Sequence, residues 1–234
     1  MLNNFKPRLY QETILATAVN YNTLVVLPTG MGKTAIAILL AVHRLTTYPD
    51  SKILLLSPSK PLCAQHIETF KKFIDLPDEK FALFTGSILP EKRHELWNSC
   101  QVIASTPQSI ENDIINNKIS LQDVSLAIFD ESHRAVKDYS YVWLAKQYNE
   151  KANRGKILAL TASPGSEVEV INEVCQNLFI DEIEIRTDKD PDVKPYIQDV
   201  KIDWVKVKLP KEFREIQMLL KDCIKSKITE IRKF

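Results

Sequence analysis

The stretch Leu27-Pro28-Thr29-Gly30-Met31-Gly32-Lys33-Thr34 decides the fold of this 234-residue chain. An apolar run, Thr23 to Leu27, precedes it and predicts a buried strand. A second apolar segment, Ala35 to Val42, follows with helix-forming composition. Strand, glycine-bearing loop and Gly-Lys-Thr opening a helix make a phosphate-binding loop. Gly30 and Gly32 permit backbone angles closed to other residues, so that successive N–H groups point inward at phosphate oxygens. The helix starting near Lys33 adds free amides and the positive end of its dipole. In this arrangement Lys33 reaches the β- and γ-phosphates and the Thr34 hydroxyl coordinates Mg²⁺. The phosphate-loop pattern places a glycine five residues before Gly32, where this chain has Leu27, and Gly30 supplies the flexibility instead. Gly30-x-Gly32-x-x-Ala35 also fits a dinucleotide fingerprint, which requires an acidic residue at the end of the next strand. That strand, Lys52 to Leu56, ends in Ser57-Pro58. A plain glycine turn does not explain Lys-Thr at the helix start.

Working outward, Phe5 to Gln11 leads into a helix expected to run to about Asn20. Gln11 stands where an amide can read an adenine edge, with Arg8 beside it, although a polar helix start alone explains both. After the loop helix, the strands Lys52–Leu56, Phe81–Phe84 and Gln101–Ala104 end in Ser57-Pro58-Ser59-Lys60, Thr85-Gly86-Ser87 and Ser105-Thr106-Pro107-Gln108, and helices follow. In a parallel α/β sheet these ends share one edge, where ligands bind. Each is ordinary turn chemistry taken singly. Repeated at one edge, Ser59, Lys60, Thr85, Gly86, Thr106, Pro107 and Gln108 suit a sugar–phosphate backbone gripped without base reading. The strand Leu126–Phe129 runs into Asp130-Glu131-Ser132-His133, where Asp130 can hold Mg²⁺ and Glu131 can orient or deprotonate water. The sixth strand, Ile157–Leu160, ends in Thr161-Ala162-Ser163-Pro164-Gly165, whose hydroxyls are placed to bond His133 and couple the two ligand sites.

Composition bounds these readings. Hydrophobic residues at 44% and charged ones at 26% are ordinary for a globular chain with a sizeable core. A net charge of +1 makes any nucleic-acid surface a local patch. The four scattered cysteines lack a C-x-x-C pair and predict reduced thiols, with no disulfide frame or zinc site. No apolar run reaches membrane-spanning length and the amino terminus lacks a signal-peptide core, so the expected location is cytoplasmic, or nuclear in a eukaryote.

With these residues in view the chain resembles a superfamily 2 nucleic-acid helicase. PTGMGKT matches motif I, SPSKPL motif Ia, TGS with STPQ motif Ib, DESH motif II and TAS motif III. Within that superfamily it is most similar to archaeal Hef and Fanconi anaemia group M helicases, relatives of Dicer and RIG-I-like ATPases, through LPTGMGKT, SPSKPLCAQH, STPQSIEND, IFDESHRAV, TASPGS and IEIRTDKDPDVKPY. Ser132 stands where that family usually has Ala or Gly. The resemblance implies a RecA-like P-loop NTPase domain over residues 1–209, a mostly parallel sheet with helices on both faces. It also implies the start of a helical insertion at 210–234, where a charged amphipathic helix runs from Lys211 to Phe234. The cofactors implied are ATP and Mg²⁺. The partners are nucleic acid, branched DNA before RNA, and a second RecA-like domain carrying arginines that reach the γ-phosphate. No Gln-x-x-Gly-Arg-x-x-Arg pattern occurs here, so the expectation is a first-domain piece or truncated gene product. A small-molecule P-loop kinase and a nucleotide-regulated binding module without turnover are the competing functions.

Overall fold

The computed structural model describes residues 2–3, 5–163, 168–196, 204–208 and 210–231. Pro164 and Gly165 of the TASPG stretch, the 209/210 boundary on its left side, and the last three residues of the tail lie outside them. Two compact units divide the chain, Met1–Ile197 and Gln198–Phe234.

The first unit alternates helix and strand: α1 Leu9–Asn20, β1 Thr23–Val26, α2 Lys33–Thr47, β2 Lys52–Leu56, α3 Lys60–Phe73, β3 Phe81–Phe84, α4 Pro90–Ser99, β4 Val102–Ser105, α5 Pro107–Ile115, β5 Val124–Asp130, α6 Ser140–Lys151, β6 Ile157–Thr161, α7 Val168–Asn177 and β7 Glu182–Ile185. The strands form one seven-stranded sheet in the order β3-β4-β2-β5-β6-β1-β7. Every pairing is parallel. Parallel strands need long crossovers, which the helices supply, and both faces must then be covered. Alternation sorts the strand side chains accordingly. Val25, Ile53, Leu55, Ile128, Leu158 and Leu160 join a core under α1, α2 and α3. Leu24, Leu54, Leu56, Phe129 and Ala159 join a second core under α4, α5, α6 and α7.

Strand limits differ from the sequence expectation where the hydrogen-bond ladder overrides local composition. β4 lies one residue later than Gln101–Ala104, because Ser105 stays in register with Leu56 on one side and Phe84 on the other. β5 begins two residues before Leu126 and runs through Asp130, buried along its whole length. A register shift against Lys52 and Ile53 accommodates Ser125, so Val124 and Leu126 reach opposite cores. β1 ends at Val26, yet the Leu27 N–H still donates to Thr161 O at 3.1 Å. β7 was not anticipated as a strand. Its Glu-Ile-Glu-Ile is short, exposed and at the sheet edge beside β1.

Beneath the β3–β4 loops lies a buried ion pair. Arg93 of α4 donates from Nε and Nη2 to the two carboxylate oxygens of Asp113 on α5, each at 2.6 Å. Arg93 Nη1 also reaches the Thr85 and Ile88 carbonyls, which ties the brace to the Thr85-Gly86-Ser87 turn. The carboxylate hydrogen bonds raise the guanidinium pKa against the effect of burial. Asp113→Ala would leave this cation buried without its partner, so unfolding in urea should show a loss of about 3–5 kcal/mol.

The second unit contributes α8, Lys211–Ile231. Phe213, Ile216, Leu220, Ile224, Ile228 and Ile231 recur along it at helical spacing and are solvent-exposed.

Candidate active site

Register fixes the level of the site. Val26 pairs with Thr161, Leu160 with Asp130, and Phe129 with Leu56. The loops Leu27–Lys33, Asp130–His133 and Thr161–Ser163 therefore leave three adjacent strands at one carboxyl edge.

Gly30 and Gly32 both adopt positive φ, 84° and 80°, as the phosphate-binding reading requires. Gly32 is the residue before α2, in left-handed geometry. A Cβ there would also sit 2.5 Å from Gln11 Nε2, so any side chain at 32 would have to displace the Gln11 amide. Gln11 is nearly wholly buried, and its Oε1 accepts from the Arg8 N–H at 3.0 Å, closing the start of α1. The Tyr10 hydroxyl donates to Met31 O at 2.7 Å and accepts from Arg8 Nη1 at 3.1 Å. Arg8 stacks over the Tyr196 ring, 5.2 Å from its centroid. The start of α1 thus holds the phosphate loop from outside. Lys33 Nζ donates to Leu27 O at 3.0 Å, which brings the ammonium back across the loop.

On β5, alternation continues from Ile128 to Asp130, so the carboxylate faces α3. Ser57, following Ile53 and Leu55 on β2, does the same. Ser57 Oγ donates to Asp130 Oδ2 at 2.7 Å, and His66 Nε2 lies 2.9 Å from the same oxygen. A carboxylate oxygen only accepts, so Nε2 carries the His66 proton. Burial pushes the Asp130 carboxyl up, but the hydrogen bond and charge of His66, then Ser57, outweigh it and hold the group below its ordinary value. Asp130 is therefore ionised at neutral pH. Cys63, one helical turn before His66, donates to Ser57 O at 3.6 Å, and burial raises its thiol to about 11, keeping it protonated. From the opposite face the Tyr141 hydroxyl lies 3.0 Å from Leu56 O and 2.7 Å from Asp130 O.

Glu131 adopts left-handed backbone angles, φ 50° and ψ 47°, which costs a non-glycine residue energy and turns the chain sharply after the strand. His133 Nδ1 lies 3.1 Å from Thr161 Oγ1 and 3.4 Å from Glu131 Oε2. The Thr161 hydroxyl donates to Ser163 O at 2.8 Å and accepts from Ser163 N–H at 3.2 Å. Its proton is thus committed, and His133 Nδ1–H must be the donor to it.

The family model for DEAD/DEAH box helicases matches residues 8–171. The chain belongs to the DEAD/DEAH box helicase family. Among solved structures, the Pyrococcus furiosus Hef helicase domain is 47% identical with a TM-score of 0.84, covering 95% of this chain and 48% of that one. A Methanocaldococcus jannaschii protein named for ATP-dependent RNA helicase activity, MJ1505, is 42% identical over 94% of this chain. The Drosophila melanogaster DEAD-box ATP-dependent DNA helicase Fancm is 36% identical over 91%. The chain spans only 28% and 15% of those two relatives.

In this helicase domain the donor set suits Mg²⁺: an ionised carboxylate, Asp130, and a hydroxyl, Thr34, opening α2. Mg²⁺ is commonly held by one or two carboxylates together with substrate phosphates. Among the described residues there is no group of three or more His, Cys, Asp or Glu able to cage a metal alone.

Along the other half of the edge, Ser59 precedes α3, Lys60 is exposed, and Gly86 and Gln108 are exposed. Lys60 Nζ donates to Ser87 Oγ at 3.1 Å, and Ser87 in turn contacts Thr85 Oγ1 at 2.9 Å. Thr106 Oγ1 meets Ser109 Oγ at 2.9 Å. The Thr85 and Pro107 side chains are buried. They shape the loops that present Lys60, Gly86, Ser87 and Gln108. Leu27 is likewise buried and offers the site its carbonyl oxygen, while Pro28 and Ala162 are half-buried and Thr29 exposed.

Ser87, His66 and Tyr141 were not singled out from sequence as site residues. Gln-His in SPSKPLCAQH was visible, but its partner 64 residues away was not. Ser132 Oγ is buried and has no hydrogen-bond partner among the described residues. An unmet buried hydroxyl is a cost, so Ser132→Ala should raise stability by about 1 kcal/mol. Thermal unfolding of the variant should show the gain, with nucleotide affinity unchanged.

Proposed function

We propose that this chain is the ATP-binding first motor domain of a superfamily 2 helicase or translocase that acts on DNA, on branched or fork structures in particular. The observation that supports this best is the partition of the sheet's carboxyl edge. The strands β1, β6 and β5 carry the phosphate loop, TAS and DESH, while β2, β4 and β3 carry the hydroxyl-rich loops. One parallel sheet thereby offers a nucleotide site and a backbone-gripping edge side by side.

In this reading the loop amides and Lys33 bind the β- and γ-phosphates. Thr34 and Asp130 would hold Mg²⁺, which would supply positive charge to neutralise the phosphates. Glu131 orients the attacking water and takes its proton. Gln11 and Arg8 lie at the adenine side. Thr161, Ala162 and Ser163 transmit nucleotide state through His133. Ser59, Lys60, Thr85, Gly86, Thr106, Pro107 and Gln108 form or shape the edge that meets the sugar–phosphate backbone. Residues 1–209 are assigned to the motor domain and 210–234 to the opening of a helical insertion, with a second RecA-like domain as the catalytic partner. The names of the Drosophila Fancm and Candida albicans MPH1 relatives favour DNA, whereas the names of MJ1505 and of Arabidopsis FANCM favour RNA. Among the described residues no helix is long and apolar enough to cross a membrane, in keeping with action on nucleic acid in the cytoplasm or nucleus.

The test is ATP turnover by the two-domain protein with forked DNA, with RNA of the same sequence, and with neither. DNA should stimulate most. Lys60→Ala should weaken binding uniformly across sequences and reduce the salt slope by about 1. Turnover indifferent to nucleic acid would favour a small-molecule kinase. Binding without turnover would favour a regulatory module.

A further inference from the structure

The strand order separates the two ligand edges at one seam, between β2 and β5. Thr161 and Ser163 do not cross it, because β6 lies between β5 and β1, wholly on the nucleotide side. Among the described residues, the side-chain hydrogen bonds crossing the seam at its carboxyl end are those of Ser57 and His66 to Asp130 and of Tyr141 to the two strand carbonyls.

These links differ in what they can transmit. Ser57 belongs to the sheet frame, since its N–H donates to Ser105 O at 3.1 Å. Tyr141 grips main chain on the far face. His66 alone comes from a helix whose first residue, Lys60, stands at the nucleic-acid edge. Cys63, His66, Ile67 and Phe70 form the inward stripe of α3, so a small rotation or shift of the helix moves the imidazole against the carboxylate. Both donors share Oδ2, and a change at His66 therefore alters how Asp130 presents its oxygens.

We propose that His66 is a positioning residue that couples nucleic-acid contact on α3 to the metal-binding carboxylate Asp130. The proposal rests on the assignment of Asp130 to Mg²⁺ made above. Groups that orient a metal's carboxylate ligand typically change metal affinity 10–100-fold when removed.

The probe is Mn²⁺ with ADP, titrated into the 234-residue protein and followed by the electron spin resonance of free Mn²⁺. His66→Ala should weaken Mn²⁺ binding about 10–100-fold, leave metal-free ADP affinity in EDTA unchanged, and melt close to the parent. His66→Gln, whose amide N–H can donate in place of Nε2–H, should recover most of the affinity. A single-stranded oligonucleotide should shift Mn²⁺ affinity in the parent and not in His66→Ala. Parent-like Mn²⁺ affinity in His66→Ala overturns the inference while the nucleotide site stands. Equal losses in His66→Ala and His66→Gln, with lowered melting, also overturn it, since they show a structural role. Failure of the parent to bind ADP in any form overturns the proposed function, and the inference falls with it.

Discussion

A chain continuing from residue 234 into a second RecA-like domain should hydrolyse ATP roughly 10³–10⁵ times faster than residues 1–234, both at saturating DNA. The groups in the candidate site divide the work unequally. On the proposed assignment Lys33 and the loop amides meet the phosphates, the ionised Asp130 holds the metal, and Glu131 handles the water. None supplies a guanidinium to the γ-phosphate, where negative charge redistributes in the transition state, and neither LPTGMGKT nor DESH contains an arginine. In related phosphoryl-transfer enzymes that arginine carries the stated factor. The seven-stranded sheet has two cores of its own, so the shorter chain should be folded and simply slow. Steady-state phosphate release by the two proteins is the measurement. Equal rates would remove the two-domain mechanism and require an arginine from within these residues.

Glu131→Gln should lower kcat by roughly 10²–10⁴ in that two-domain protein, with KM for ATP nearly unchanged. The substitution keeps side-chain length and leaves the left-handed turn at 131 as strained as before, so the backbone route from β5 to His133 persists. On the proposed assignment it removes the group that takes the water's proton. Lys33→Ala provides the contrast, because in the proposed site it deletes an ammonium that would bind ground state and transition state alike. Calorimetry should find ATP binding abolished there and retained in Glu131→Gln. A raised KM with intact kcat in Glu131→Gln would make the residue a binding group and move the general base elsewhere.

Much of this protein was legible in the chain itself. Gly30, Gly32, Lys33 and Thr34 announce their chemistry because a phosphate loop is a local object: its backbone angles, amides and helix start all fall within eight residues. Asp130 and Glu131 are legible for the same reason, as a hydrophobic strand that stops in two carboxylates. The hydroxyl-ended strands pointed to a shared edge once parallel pairing was assumed. Alternation along Ile53-Leu54-Leu55-Leu56 and Ile128-Phe129 even fixes which face each side chain takes. What alternation does not contain is which strand lies beside which. The order β4-β2-β5-β6-β1 is set by how the crossover helices pack on both faces, and only that packing brings Ser57 and His66 to Asp130, or Arg93 to Asp113. Partners separated by 73, 64 and 20 residues leave no periodic trace. The same holds for burial. Thr85 and Pro107 look like surface turn residues in the sequence, and Ser132 looks like a small polar one. Only the assembled cores remove them from water, leaving the Ser132 hydroxyl without a hydrogen-bond partner among the described residues, while Gly86 and Ser87 beside Thr85 meet solvent. The sequence by itself determined the chemistry available at each strand end; the tertiary structure decided which of those ends touch, because contact between distant strands depends on sheet order rather than on local spacing.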